Sequence, residues 1–250
     1  DKITGNRDTT GSKTIILKTT EEGRLLWEPF SERYQGIYRI ERSLYKSVSG
    51  TSVLFEEVNH DLRLTYRYAW RTGEKFGFVK SSYLVNQGEA CQIELVDGLQ
   101  NILPAHASVD VQNTFSNLLD AYKSNELHRQ TGIGMFALSS RLTDVGEPSE
   151  SLRANTVWQT GLDNVDHLLS SQQLDTFRRG KGIVPEEKVT GKRGAYFVHT
   201  RVELAHADDK QWHLVAEVDQ DSSTVNALLE TVNKQADNLS EVIEADIEAN

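Results

Sequence analysis

Residues 62–69 read Leu62-Arg63-Leu64-Thr65-Tyr66-Arg67-Tyr68-Ala69. Leu62, Leu64, Tyr66 and Tyr68 alternate with Arg63, Thr65, Arg67 and Ala69. This period of two buries one face of a strand and wets the other. Upstream, Ile37, Arg39 and Glu41 alternate with Tyr38, Ile40 and Arg42, and Val53-Leu54-Phe55 follows the turn at Ser49-Gly50. Downstream, Phe76, Phe78 and Lys80 alternate with Gly77, Val79 and Ser81 as far as Val85. Cys91 to Val96 predicts a further strand, ended by the turn pair Asp97-Gly98.

The same reading extends to both ends. Thr14–Thr19 and Leu25–Trp27 predict strands on either side of a turn at Gly23. Ile133–Leu142 and Leu152–Leu162 predict two more, with a loop at Asp144–Ser149 between them. Tyr196–Ala207 and Trp212–Val218 predict a hairpin across Ala207-Asp208-Asp209-Lys210. Helical spacing of Val111, Phe115, Leu118, Leu119 and Tyr122 predicts one helix over Ser108–Asn125, with Ser108 as its cap. Leu168–Phe177 predicts a short helix, and Arg178–Gly194 a Gly-rich basic loop. Asp221-Ser222-Ser223 caps a long final helix whose stripe is Val225, Leu229, Val232, Ala236, Leu239, Ile243 and Ile247. Many strands, few helices and hairpin connections predict a mainly β fold, a large two-sheet antiparallel sandwich with a C-terminal linker helix. The expected organisation is a polar leader over residues 1–12, a sandwich over 13–220, and the start of a truncated helical linker over 221–250.

Composition narrows the function classes. A formal net charge of −10 disfavours nucleic acid, whose binding draws on cations meeting phosphates, and disfavours an anionic membrane surface. Uncharged sugars fit an acidic chain. One cysteine, Cys91, allows no intrachain disulfide and suits a core position. Dinucleotide, phosphate-loop, zinc and nucleophile-elbow motifs do not occur in this chain, so no cofactor, no metal and no catalytic residue is expected.

Three polar clusters stand out. Glu56, Glu57, His60 and Asp61 combine carboxylates with a histidine, and read as a solvated turn. His199, Arg201 and Glu203 share one strand face while Val198, Val202 and Leu204 take the other. If Tyr196–Ala207 pairs with the next strand, Gln211, His213 and Glu217 lie opposite. A face of His, Arg and Glu suits sugar hydroxyls; a wet sheet face with an ion pair meets the same pattern, and is commoner. The basic loop carries Arg178, Arg179, Lys181, Lys188, Lys192 and Arg193, diluted by Glu186 and Glu187, and reads as solvated. Trp70, at a strand end, is the tryptophan placed to offer a stacking platform, although core packing is the commoner role. The candidate substrate-binding residues are therefore His199, Arg201, Glu203, His213 and Trp70.

The run YRIERSLYKSVSGTSVLFEEVNHDLRLTYRYAWRTGEKFGFVKSSYLVN within Tyr34–Asn86 carries a resemblance, with IELVDGLQNILPA at Ile93–Ala105 and NLLDAYKSNE at Asn117–Glu126. These stretches resemble the N-terminal region of large bacterial proteins related to cellobiose-phosphorylase-type glycoside phosphorylases. The resemblance implies a β-supersandwich similar to galactose mutarotase, followed by a helical linker and an (α/α)6 barrel. It implies inverting phosphorolysis by the whole protein, with acid and phosphate site mainly in the barrel, so no catalytic residue carries over to this chain. Implied partners are a carbohydrate, the following barrel and a second copy in a homodimer; the expected compartment is the cytoplasm. Two other readings stand beside it. One is a mutarotase-like aldose epimerase, needing a histidine acid and a glutamate base at one sugar. The other is a stand-alone carbohydrate-binding module.

Overall fold

A computed structural model describes residues 8–48, 50–107, 109–140, 153–235 and 238–249. Strands β1 (Gly11–Thr20), β2 (Gly23–Trp27), β7 (Cys91–Ile102), β11 (Asp166–Leu168) and β13 (Gly194–Leu204) form one antiparallel sheet, in the order β11-β13-β7-β1-β2. The other sheet has nine strands among the described residues. They are β3 (Ile40–Lys46), β4 (Val53–Asn59), β5 (Leu64–Gly73), β6 (Gly77–Asn86), β8 (Lys123–His128), β9 (Ile133–Leu138), β10 (Arg153–Thr160), β12 (Lys188–Thr190) and β14 (Asp209–Asp221). Their order is β12-β8-β9-β10-β14-β6-β5-β4-β3, again antiparallel. The mainly β two-sheet fold expected from the alternation is what the chain adopts.

The inner faces meet in one core. Ile16, Leu95, Tyr196 and Val198 from the smaller sheet pack against Leu64, Tyr66, Leu84, Trp212 and Leu214 from the larger. Each outer face has its own apolar cover. Leu174 and Phe177 of α3 (Leu174–Arg178) close over Ile15, Leu17, Val96 and Phe197 on the smaller sheet. Val232 of α4 (Ser222–Lys234), with Leu239 and Ile243 of α5 (Leu239–Ala249), closes over Val79, Trp158 and Val215 on the larger.

Several sequence expectations are corrected. Asp97-Gly98 is not a turn, because β7 runs through it to Ile102. Gly98 is needed for close approach instead; a Cβ there would lie 2.0 Å from the Tyr196 carbonyl oxygen. Asp97 consequently faces the core. The hairpin expected at Ala207–Lys210 is an arch: β13 pairs with β7 and β11, whereas β14 pairs with β10 and β6 in the opposite sheet. Asn86 pins it, its Nδ2 donating to the carbonyls of Glu89 (2.8 Å) and Ala205 (2.9 Å). Alternation does not reveal whether consecutive strands pair or cross between layers, since both leave one face apolar.

The expected helix over Ser108–Asn125 is two short helices, α1 (Val109–Thr114) and α2 (Ser116–Ala121), followed by β8. Of its proposed stripe only Leu119 is buried; Phe115 and Leu118 are exposed. Pairing of Lys123–His128 with β9 overrides helix propensity there, a weak prior in any case. The basic loop contributes β12 to the larger sheet, and Glu186 accepts from the Leu169 amide and the Ser170 hydroxyl. Ser170 and Glu186 thus tether a segment expected to be solvated. Leu168 belongs to β11 and the short helix begins only at Leu174. The final helix is two, α4 and α5, both docked on the larger sheet. Asp221 caps α4 as expected, accepting from the Thr224 amide. The Ser108 cap, the loop Asp144–Ser149 and Ala236 lie outside the described residues. No helix among the described residues is long and apolar enough to cross a membrane.

Candidate functional site

The five- and nine-stranded sheets end at β2 and β3, and residues 28–39 join those two edges. Beneath this loop is a cavity of about 360 Å³. Trp27, Tyr34, Tyr38, Ile40, Arg42 and Glu57 are among the residues lining it. Glu57 forms the floor. It points inward from β4 and is buried, and three donors converge on its carboxylate. Trp27 Nε1–H reaches Oε1 at 2.8 Å; the Phe30 amide and Arg42 Nε reach Oε2, each at 2.7 Å. A buried carboxylate is tolerated only with such partners.

The loop is held in one shape by these bonds. Phe30 sits at φ 62°, a left-handed conformation rare for a residue with a Cβ. Its amide is fixed by Glu57, and its ring meets Tyr68 edge-on at 5.3 Å. Arg42 Nη2 donates to the Ser31 carbonyl at 3.0 Å, and Tyr38 OH to the Leu26 carbonyl at 2.9 Å. Burial, reinforced by the Asp61 charge, pushes the Tyr38 phenol above its ordinary pKa, keeping it a donor. At the loop's far end Arg39 donates from its amide and its Nε to Asp61, both at 2.7 Å. The Arg39 amide bond, and then its side-chain bond, hold the Asp61 carboxyl below the usual range. Glu28 also lines the cavity; it is buried and gripped by Arg178 (2.9 and 3.1 Å) and Lys13 (3.0 Å).

The cluster Glu56, Glu57, His60 and Asp61 therefore divides. His60 and Asp61 lie at the turn, as the solvated reading has it. Glu57 and Glu56 are buried, Glu56 on the other face with Arg67 and the Tyr45 hydroxyl. Sequence reasoning missed the pocket because both phases of β4 mix apolar and acidic residues. The available signal was Glu57 in step with Phe55, opposite Tyr66 of the next strand.

The structure distributes the five proposed substrate-binding residues over three surfaces. His199, Arg201 and Glu203 do share the outer face of the smaller sheet. There His199 Nε2 is 2.9 Å from Glu94 Oε1 and its Nδ1 is 3.4 Å from Asp166 Oδ2. Arg24 and Arg201 also reach Glu94, at 2.8 and 3.7 Å, while Glu203 is exposed. His213 is on the opposite side of the sandwich, fully buried under α5. Its Nδ1 is 2.9 Å from Ser81 Oγ and its Nε2 is 3.7 Å from Glu244. Burial pushes it down to about 4, so it is neutral at pH 7. Arg71 grips the same Glu244 with two bonds, 2.8 and 2.6 Å. Gln211 is 3.4 Å from His213 on the same strand, not across from His199. Trp70 lies on the inner face, half-buried against the core. No group of three or more His, Cys, Asp or Glu among the described residues is placed to hold a metal ion.

No family model matches this chain. No curated protein matches its sequence either. Among solved structures, heparinase III is similar over 73% of this chain, at 14% identity and a TM-score of 0.39. A protein assigned as a kojibiose phosphorylase, from the human microbiome, is similar over 96% of the chain, at 11% identity and a TM-score of 0.43. A polysaccharide lyase is similar over 88%, at 12% identity and a TM-score of 0.41. The matched regions are 22%, 27% and 27% of those chains, so this chain spans about a quarter of the length of each.

Proposed function

We propose that this chain is a carbohydrate-binding sandwich domain of a larger carbohydrate-active protein, and that it seats a neutral sugar ring under loop 28–39. The observation that carries this reading is the pocket itself. Two partly exposed aromatic side chains, Tyr34 and Tyr38, line it with a carboxylate and a guanidinium already locked together, and the buried Trp27 backs them. Flat apolar faces suit the C–H side of a pyranose, and fixed polar groups suit its hydroxyls. No histidine is among the lining residues, which favours binding over the paired acid–base work of an epimerase. A role beside a following helical barrel, and contact with a second copy, rest on the resemblance of Tyr34–Asn86, Ile93–Ala105 and Asn117–Glu126.

The test is an NMR titration of the purified chain with glucose, cellobiose and maltose, beside a polarimetric assay of glucose anomerisation. Saturable shifts in loop 28–39 are expected, with no anomerisation above the spontaneous rate. Tyr34→Ala removes a stacking face worth about 1 kcal/mol, and binding should weaken by roughly fivefold. Binding that survives both Tyr34→Ala and Arg42→Ala unchanged, or catalysed anomerisation, overturns the proposal.

A further inference from the structure

Strand β3 leads out of the pocket. Ile40 and Arg42 line the cavity under loop 28–39, and Leu44 is the next residue in the same phase, ~7 Å further along the strand. Leu44 is 63% exposed. It pairs with Phe55 of β4, and Phe55 pairs in turn with Tyr68 of β5. The three lie in one row on the inner face of the larger sheet. Phe55 and Tyr68 stack there, with ring centres 4.8 Å apart and planes 13° from parallel. In the neighbouring row Val53 pairs with Trp70. Val53, Phe55 and Trp70 are all partly exposed.

This strip is open because the two sheets are unequal. Among the described residues five strands face nine, and the smaller sheet stops at β2. Phe30 marks the place where loop 28–39 meets the strip. Its ring stands edge-on to Phe55 at 6.3 Å and to Tyr68 at 5.3 Å, while its amide is bound to Glu57 on the cavity floor. Pocket and strip are therefore contiguous. A contiguous run of exposed apolar side chains marks a binding surface, where scattered ones do not. Beyond Leu44 the same phase of β3 brings only Lys46; Leu44, Val53, Phe55 and Trp70 carry no charge. An uncharged row of flat faces suits the C–H sides of pyranose rings. An extended peptide would need its backbone groups met, and the face of a sheet has no free backbone donors or acceptors to offer.

We propose that pocket and strip are successive subsites, and that the ligand is a neutral oligosaccharide rather than a single sugar. One ring sits under loop 28–39, and the rings that follow lie on Leu44, Phe55 and Trp70. This rests on the sugar-pocket reading and adds the length of the ligand to it.

The experiment titrates the purified chain with glucose, cellotetraose and maltotetraose, following backbone amide shifts, and sediments the free chain alongside. One tetrasaccharide is expected to bind roughly tenfold tighter than glucose, with shifts at residues 44, 53–55 and 70 as well as in loop 28–39. Leu44→Ser changes an exposed position, so its melting temperature should stay close to that of the parent chain. Leu44→Ser and Trp70→Leu should each cut the advantage of the tetrasaccharide over glucose to roughly threefold. Glucose binding with no gain from chain length, or a gain that survives both substitutions, overturns the subsites and leaves the pocket reading standing. Failure of every sugar to bind overturns both. Self-association of the free chain that Leu44→Ser abolishes assigns the strip to a second copy, and also overturns the proposal.

Discussion

Lys80 of β6 and Asp97 of β7 face each other across the two sheets, fully buried, with Nζ 2.6 Å from Oδ1. Asp97 also accepts from Trp212 Nε1 and Thr14 Oγ1, each at 2.7 Å, and the Lys80 ammonium stands 5.3 Å from the centre of the Tyr68 ring. Lys80→Met keeps the length of the side chain and deletes the charge. It leaves a carboxylate in the core with two neutral donors, and breaking one half of a buried pair costs about 3–5 kcal/mol. For a chain of this size each kcal/mol is worth roughly 2–4 °C, so melting should fall by roughly 6–20 °C. Urea unfolding at pH 7, followed by tryptophan fluorescence, gives the free energy directly. Lys80→Met/Asp97→Asn removes both charges but keeps an amide oxygen for Trp212, and should regain most of the loss. A loss under about 1 kcal/mol in the single variant, or a double variant no better than the single, would show that this pair is not the charge-compensated bridge described.

Acid should weaken the fold through His213. It is neutral in both states above pH 6.5, but between 6.5 and about 4 the unfolded chain takes a proton that the folded chain refuses. Stability therefore falls as pH drops through that window, by up to about 1.4 kcal/mol per unit for one such histidine, and levels off below it. The urea midpoint of His213→Gln should be flatter over the same range. Glu244→Gln takes the charge from the Arg71 grip on α5; amide exchange in residues 239–249 should quicken, with overall unfolding changed little. Gly98→Ala should yield no soluble folded protein, because its Cβ would overlap the Tyr196 carbonyl and the Phe197 ring; circular dichroism of the expressed chain checks this.

The sheets were legible in the sequence because side-chain alternation is a local property. Leu64, Tyr66 and Leu84 declare their inward phase without knowledge of any partner. What alternation does not carry is which strand lies alongside, and β13 and β14 show the result: Trp212 faces the core whether its strand pairs with β13 or with β6. Asp97-Gly98 misled for a related reason. The pair favours turns in isolation, but here Lys80, Thr14 and Trp212, all distant in sequence, satisfy the carboxylate, and Gly98 admits β13. The site was less legible still. Trp27, Arg42 and Glu57 come from three strands in two sheets, and only folding brings them to one carboxylate. His199, Arg201 and Glu203 were visible as a set because one strand carries them all; His213 was joined to that set only by the supposed hairpin.

The order of strands in the larger sheet has a bearing on how the molecule is assembled as it is synthesised. β3 to β6 are a run of neighbours, and β8 to β10 are another, but the only strand that joins the two runs is β14. Two half-sheets must therefore wait, with β6 and β10 as unsatisfied edges, until residues 209–221 leave the ribosome and slot between them. Exposed edges of that kind invite pairing with other chains, so the interval before β14 arrives is when a chaperone has most to protect.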